Sequence, residues 1–585
     1  MDIFAVLNLM GGLILFLYGM DLMGDGLKKL AGGRLETILG KLTSAKWKGL
    51  LLGLTVTAVI QSSSATTVML VGFVNSGIMK LGQTISIIMG ANVGTTVTSW
   101  LLSTADISGT AIFMKLLKPE SFTPILAVIG FLMITTGKTD RRKSTGTIFI
   151  GFAILMFGMS AMSSAVSGLR ENETFISILT MFSNPFMGIL VGTLFTAIIQ
   201  SSSASVGILQ ALSLSCFIPY SSAIPIILGQ NIGTTITPII SSISGNADSK
   251  RVAFTCLAIK MVGVIVVAGG FYLLNGFLQF EFMSSSVSAL SIAFIHTIFN
   301  IISTVILIPF SSLFEKLAIK FIKSKKEEQE ADIFATLDER FLTMPSFAVE
   351  KCRELVYQMA DVALDSYVLA NNLLDNYTSE GFETVEMLES KVDKYEDKTS
   401  AYLVKIASKQ MSAKDSKVVT ELLHCVGDLE RISDHALNIA EAAKEVYDKQ
   451  ITFSEKAKED IGIIGRAVSE ILEHSVSAFL SDDVEKANLV EPLEQVVDTL
   501  KRKIKTGHIA RLRQGECTIE MGFVLSDLVT NYERISDHCS NIALCVLEMA
   551  YGTFDTHEYT SNIKKDDTNE FNKNYEMYKE KYHIE

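Results

Sequence analysis

The chain has 585 residues, 48% of them hydrophobic and only 19% charged, which is too long for one ordinary core and too apolar for a wholly soluble protein. Its net charge of −12 is unevenly divided: residues 1–323 hold 20 Lys and Arg against 12 Asp and Glu, and the remainder holds 31 against 51. A basic half made of apolar runs argues for a membrane domain and against a nucleic-acid binder, and the acidic half reads as a soluble appendage.

In chain order, the N-terminus MDIFAVLNLM has no basic region or cleavage site and reads as a retained first span. Apolar stretches follow the pattern 3–23, 48–77, 83–103, 123–137, 146–168, 187–217, 221–243, 251–275 and 291–310. All but 123–137 approach or exceed the roughly 20 residues that a spanning helix needs. The sequence is also doubled. GLTVTAVIQSSSATTVML from Gly53 matches GTLFTAIIQSSSASVGIL from Gly192, 139 residues later. The same offset carries GANVGTTVT at Gly90 onto GQNIGTTIT at Gly229, and Tyr18-Gly19-Met20 onto Phe157-Gly158-Met159. The repeats cover about 10–105 and 149–244.

Loop charge orients the copies. Residues 24–48 carry Lys28, Lys29, Arg34, Lys41, Lys46 and Lys48, whereas 163–187 carry only Arg170 beside Glu171 and Glu173. Cytoplasmic loops collect Lys and Arg, so the two loops belong on opposite faces. That holds if 48–77 and 187–217 are re-entrant hairpins in an inverted repeat. Thirty residues of helix would measure about 45 Å against a hydrocarbon core of about 30 Å, which agrees.

The middles of both hairpins are polar: Gln61-Ser62-Ser63-Ser64 and Gln200-Ser201-Ser202-Ser203. A second pair of breaks follows at Asn92-x-Gly94-Thr95-Thr96 and Asn231-x-Gly233-Thr234-Thr235. Unpaired polar groups cost a few kcal/mol each in hydrocarbon, so these breaks must be satisfied. An unwound tip offers backbone N–H groups and a positive helix end to an oxyanion. Its freed carbonyls, hydroxyls and amide oxygens make a neutral cage for a small hard cation such as sodium. No Asp or Glu lies centrally in a span, which argues against a proton relay. Lys260, placed to snorkel or to pair with an anion, and the i,i+4 pair His296 and Asn300 read as structural.

Beyond Pro309 the chain turns polar within 15 residues, with 324–344 read as a linker. The soluble half is doubled too: LERISDHALNIA from Leu429 matches YERISDHCSNIA from Tyr532, 103 residues later, and Glu389-x3-Asp393 matches Glu494-x3-Asp498, 105 residues later. Two three-helix units are expected, 345–449 and 454–551, followed by a polar, disordered tail at 552–585. Each Glu-x3-Asp pair puts two carboxylates on one helix face. Seven scattered Cys without a CxxC pair suit a reducing cytosol. There is no P-loop, zinc-ligand pair or GxSxG elbow, so the chain does not read as an enzyme.

Paired QSSS motifs on a duplication, GxNxGTT segments and a tail with duplicated ERISDHxxNI resemble the bacterial sodium/phosphate cotransporter family, related to type II phosphate transporters, with a fused PhoU-like domain. The resemblance implies an all-α fold: a polytopic membrane protein of inverted-repeat helices and re-entrant hairpins (1–323) plus a cytoplasmic tandem three-helix-bundle domain (345–551). It implies sodium-coupled symport of inorganic phosphate across the bacterial cytoplasmic membrane. The alternatives are a phosphate exporter or other oxyanion carrier, and a phosphate-sensing receptor without transport. Carried over, Gln61, Ser62, Ser63, Ser64, Gln200, Ser201, Ser202 and Ser203 become substrate and ion ligands, with Thr66, Ser205, Asn92, Thr95, Asn231 and Thr234 in support. The copies diverge at Thr67 and Val206, which leaves the ion count open. The resemblance also implies a divalent metal cluster, iron, zinc or another ion, at Glu389, Asp393, Glu430, Asp434, Glu494, Asp498, Glu533 and Asp537. Implied partners are phosphate, sodium and membrane lipid, with a homo-oligomer and a signalling partner for the soluble domain left open.

Overall fold

The computed structural model describes residues 3–31, 45–106, 119–167, 181–323, 333–551 and 569–584. Among them every regular element is helical apart from one isolated bridge between Pro219 and Ser286. The chain forms two units, Met1–Phe347 and Ala348–Glu585.

In the first unit, six segments are long and apolar enough to cross a bilayer: Ile3–Leu30, Leu81–Asp106, Asp140–Val166, Tyr220–Ser242, Ala247–Leu278 and Ala289–Phe321. The expected span 123–137 is a shorter helix, and the first span runs past its expected end to Ala31. The loop-charge comparison falls partly on 32–44 and 168–180, outside the described residues. We label the helices α1 (Ile3–Ala31), α2 (Lys46–Ile60), α3 (Ser63–Asn75), α4 (Leu81–Gly94), α5 (Thr96–Ser103), α6 (Pro119–Thr136) and α7 (Asp140–Val166). The second half supplies α8 (Pro185–Ile199), α9 (Ser202–Ser215), α10 (Tyr220–Gly233), α11 (Ile236–Ser242), α12 (Ala247–Leu278), α13 (Ala289–Leu307) and α14 (Ser311–Phe321). The two polar motifs therefore fall where helices break: α2 from α3 and α8 from α9 at the QSSS runs, α4 from α5 and α10 from α11 at the Gly-Thr-Thr runs. The axes of α8 and α9 turn by 120° at their break, which makes a hairpin rather than a crossing.

Lipid-soluble helices gain little from hiding apolar surface from lipid, so close backbone approach takes over. A Cβ on Gly53 would stand 2.0 Å from the Ile87 carbonyl oxygen, and one on Gly90 2.0 Å from that of Leu50. One on Gly94 would stand 2.5 Å from the Leu54 oxygen. The second copy repeats all three contacts at the same offset: Gly192 on Ile226 at 2.2 Å, Gly229 on Ile189 at 2.1 Å and Gly233 on Thr193 at 2.4 Å. Each hairpin's first arm is thus pressed backbone to backbone against the helix that carries the second motif. Gly19 and Gly158 seat α1 against α7 in the same way. Residues 333–347, expected to be largely linker, pack into this unit: Phe341 and Phe347 close on Phe73 at 5.3 and 5.0 Å, and Asp338 accepts from Asn75 at 3.0 Å. The remainder of the linker, 324–332, lies outside the described residues.

The second unit consists of amphipathic helices α15 (Pro345–Leu373), α16 (Ser379–Ala407), α17 (Ala413–Asp448), α18 (Glu455–Ser481), α19 (Val484–Gln514) and α20 (Ile519–Tyr551). Thr378, Ser412, Ser454 and Asp483 cap four of their N-termini through side-chain oxygens. The two ERISDH helices, α17 and α20, pair reciprocally. His435 meets Asn531 at 2.9 Å, His538 meets Asp428 at 2.8 Å, and the two imidazoles stack 5.8 Å apart. Because Asp428 and Asn531 are equivalent positions 103 residues apart, this contact marks a local pseudo-two-fold axis. The tail departs from the disorder expected of it. Asn569–Lys581 forms a helix, α21, on α19, with Tyr578 and Tyr582 buried and Lys581 on Glu470 at 2.8 Å. Two aromatics one turn apart anchor an otherwise polar segment, too little apolar signal to distinguish it from a solvated tail. Residues 552–568 lie outside the described residues.

The glycine contacts generate a stability prediction. Gly53→Ala or Gly192→Ala should cost about 1–3 kcal/mol through overpacking against backbone, read as a lower melting temperature of the purified protein. Gly276→Ala, with nothing within 4 Å of the new carbon, should leave it unchanged.

Candidate functional site

Each QSSS break is built the same way. At the end of α2, Gln61 adopts a left-handed conformation (φ 60°) and donates its N–H to the Thr57 carbonyl; at the end of α8, Gln200 does the same (φ 61°) toward Thr196. Ser62 and Ser201 then swing to extended backbone and cap the next helix, accepting from Ala65 N–H at 3.1 Å and Ala204 N–H at 3.2 Å. A left-handed Gln costs roughly 1 kcal/mol relative to Gly, so its repetition marks a position where the side chain is needed. Across each hairpin the arms are tied by hydroxyls: Thr57 to Thr66 at 3.0 Å and Thr196 to Ser205 at 2.8 Å.

The two tips meet. Ser64 Oγ donates to the Gln200 carbonyl oxygen at 3.5 Å, which brings the starts of α3 and α9 near one another. The second motif is tied in on both sides. Thr98, one turn beyond Thr95, donates to Gln61 Oε1 at 2.7 Å, and Gln230, beside Asn231, donates to the Ser205 carbonyl at 3.1 Å. Thr95 and Thr234 cap the C-terminal ends of α4 and α10, donating to Ala91 O at 3.1 Å and Asn231 O at 2.8 Å. Asn231 donates to Ile227 O at 3.2 Å, while Asn92 is half-buried. Ser63, Ser202, Ser203, Thr66 and Ser205 are buried, and Ser62, Ser64 and Ser201 are half-buried. The copies differ at the turn residue: Gln61 is 6% exposed and held by Thr98, whereas its equivalent Gln200 is exposed.

Of the intramembrane groups read as structural, His296 is fully buried on Ser99 at 2.9 Å, and Asn300 donates back to the His296 carbonyl at 2.8 Å. Lys260 is buried and donates to Thr234 Oγ1.

In the second unit, Glu389 and Asp393 of α16 and Asp434 of α17 bring one carboxylate oxygen each to within 4.8 Å of one another. Burial, then the neighbouring carboxylates, push Glu389 and Asp393 up from their ordinary range; Glu430, one turn from Asp434, is raised for the same reasons. Three hard oxygens this close fit a divalent cation. The equivalent set in the other copy departs from expectation. Among the described residues, Glu494, Asp498, Glu533 and Asp537 form no such group, and Lys501 takes Glu533 at 2.7 Å. Lys501 stands where the first copy has Glu396, 105 residues earlier.

Comparison with known proteins agrees with both halves. The Na+/Pi-cotransporter family matches residues 15–164 and again 154–294, and the PhoU domain matches 356–443 and 461–546. YqeW of Bacillus subtilis, an uncharacterized protein, is 30% identical over 314 residues, covering 54% of this chain and 97% of its own. The chain belongs to the Na+/Pi-cotransporter family. Its soluble half is a pair of PhoU domains, and the whole is a multi-pass membrane protein of a phosphate-transporting family. YjbB of Salmonella typhimurium, named for inorganic phosphate export, is 24% identical over 93% of this chain and 98% of its own. The human sodium-dependent phosphate transport protein 2B is 34% identical over 134 residues, 20% of this chain and 19% of its own.

Within this family member, Thr57, Thr196, Thr98 and Gln230 escaped the sequence reading. Thr57 and Thr196 were legible in principle, being identical at the 139-residue offset inside an apolar run. Thr98 is likewise matched by Thr237 at that offset, whereas Gln230 has Ala91 as its counterpart, so only the fold reveals it.

The PhoU carboxylates yield a pH prediction. Raised acids keep their protons to higher pH in the folded state, so their contribution to stability is full at low pH and is lost as pH rises through the raised values. A divalent cation reverses that loss. Added Mn2+ should raise the melting temperature most near pH 7–8, the gain should shrink as pH falls toward about 5, and Glu389→Gln should abolish most of it.

Proposed function

We propose that this chain carries inorganic phosphate across the bacterial cytoplasmic membrane coupled to sodium, by alternating access between two inverted repeats, and that its cytoplasmic PhoU pair gates it. The observation that carries this reading is the duplicated hairpin break, whose two tips meet through Ser64 and Gln200. Phosphate binds between the N-terminal ends of α3 and α9, with the hydroxyls of Ser62, Ser63, Ser64, Ser201, Ser202 and Ser203 and the amides of Gln61 and Gln200 as donors. Sodium takes the oxygen-rich break at Thr66, Asn92 and Thr95, where a helix C-terminal end favours a cation, and Ser205, Asn231 and Thr234 are the corresponding oxygen groups of the second break. The family description and the name of the human relative support sodium as the coupling ion.

Alternating access needs two related halves in different states. Gln61 buried on Thr98 and Gln200 exposed fit one hairpin closed and the other open. Substrate passage then consists of exchanging these roles, with no covalent step. The carboxylates Glu389, Asp393 and Asp434 would hold a divalent ion that braces α16 against α17 in the sensing domain. Net export is the second reading, favoured by the name of YjbB, which matches nearly end to end.

Radiolabelled phosphate flux into proteoliposomes with an imposed sodium gradient, against potassium controls, tests the proposal. Sodium-driven accumulation is expected; sodium-independent flux would favour an exporter, and binding without flux a receptor. Ser63→Ala and Ser202→Ala should each raise the phosphate KM about 10- to 100-fold, the loss of a charge-assisted hydrogen bond, with monodispersity retained. Near-normal kinetics in both would remove these serines from the site.

A further inference from the structure

Lys260 sits 13 residues into α12, about 20 Å from its Ala247 end and about 27 Å from Leu278 at 1.5 Å per residue. A lysine side chain cannot snorkel that far along its own helix. It is 7% exposed, and its ammonium donates to Thr234 Oγ1, with no carboxylate partner among the described residues. A buried ammonium so placed must be satisfied by dipoles.

The dipoles are those of a helix C-terminus. Thr234 is the cap residue that ends α10 at the Gly-Thr-Thr break, and its hydroxyl hydrogen is already given to the Asn231 carbonyl at 2.8 Å. Its oxygen is therefore an acceptor, aimed into the negative end of α10, where a bare cation would be stabilised. Among the described residues the other repeat shows no such group: Thr95 ends α4 with the same kind of bond, to Ala91 O at 3.1 Å, and no lysine donates to it.

We infer that the Lys260 ammonium is a tethered cation occupying the sodium position of the second repeat's break, so that this break takes no sodium and the first repeat's break takes one. The inference rests on the sodium-coupled reading for its consequence, that the second break contributes no transported charge. Its site chemistry can be tested without flux.

The test counts bound 22Na+ per chain by equilibrium binding to the purified full-length protein. Lys260→Met vacates the position and should bind one sodium more than wild type, whereas Lys260→Arg keeps a tethered cation and should match wild type. Equal counts for wild type and monodisperse Lys260→Met overturn the inference. Thr95→Val keeps it falsifiable should Lys260→Met not fold: it should lose one sodium, and an unchanged count also overturns it. In proteoliposomes, the sodium gradient that just balances a phosphate gradient should report one more sodium per phosphate in Lys260→Met. Wild type without sodium-dependent flux would sink the coupled reading while leaving the binding count to decide the inference.

Discussion

A helix broken inside an apolar layer exposes backbone groups that neither lipid nor water can satisfy, and everything distinctive in the membrane unit follows from that constraint. At each hairpin the loss is contained within two residues. The left-handed Gln returns its N–H to the preceding helix, and the Ser that follows turns its hydroxyl onto the first free N–H of the next. Two short polar residues therefore close one helix and open another with few groups orphaned.

Holding such a tip in place requires the hairpin arms to be rigid. The glycine contacts serve that purpose, because backbone against backbone leaves no side chain to repack. Gly53, Gly90 and Gly94 fix α2 on α4, and their equivalents fix α8 on α10, so the first and second motifs of each repeat are held to one another through backbone contact.

Much of this was readable from residues alone, because duplication converts a weak local pattern into a repeated one. The 139-residue offset located both breaks and the hairpins, and the 103-residue offset located the PhoU pair. The offset could not show which groups meet. The Thr57–Thr66 tie and the Gln61–Thr98 bond join residues whose proximity depends on how the chain turns at the α2–α3 break and on how α5 returns past the tip. The docked helix at Asn569–Lys581 was hidden for a different reason: its anchoring rests on two tyrosines and ion pairs such as Lys581–Glu470, which composition reads as solvated surface.

Duplication also makes differences between copies informative. In each half of the chain a lysine sits on an oxygen group in one copy and not at the corresponding group in the other: Lys260 on Thr234 against Thr95, and Lys501 on Glu533 against the Glu389, Asp393 and Asp434 group. An ammonium is a compact cation with directional donors, fixed to the chain, so it neutralises oxygen ligands without depending on ion concentration.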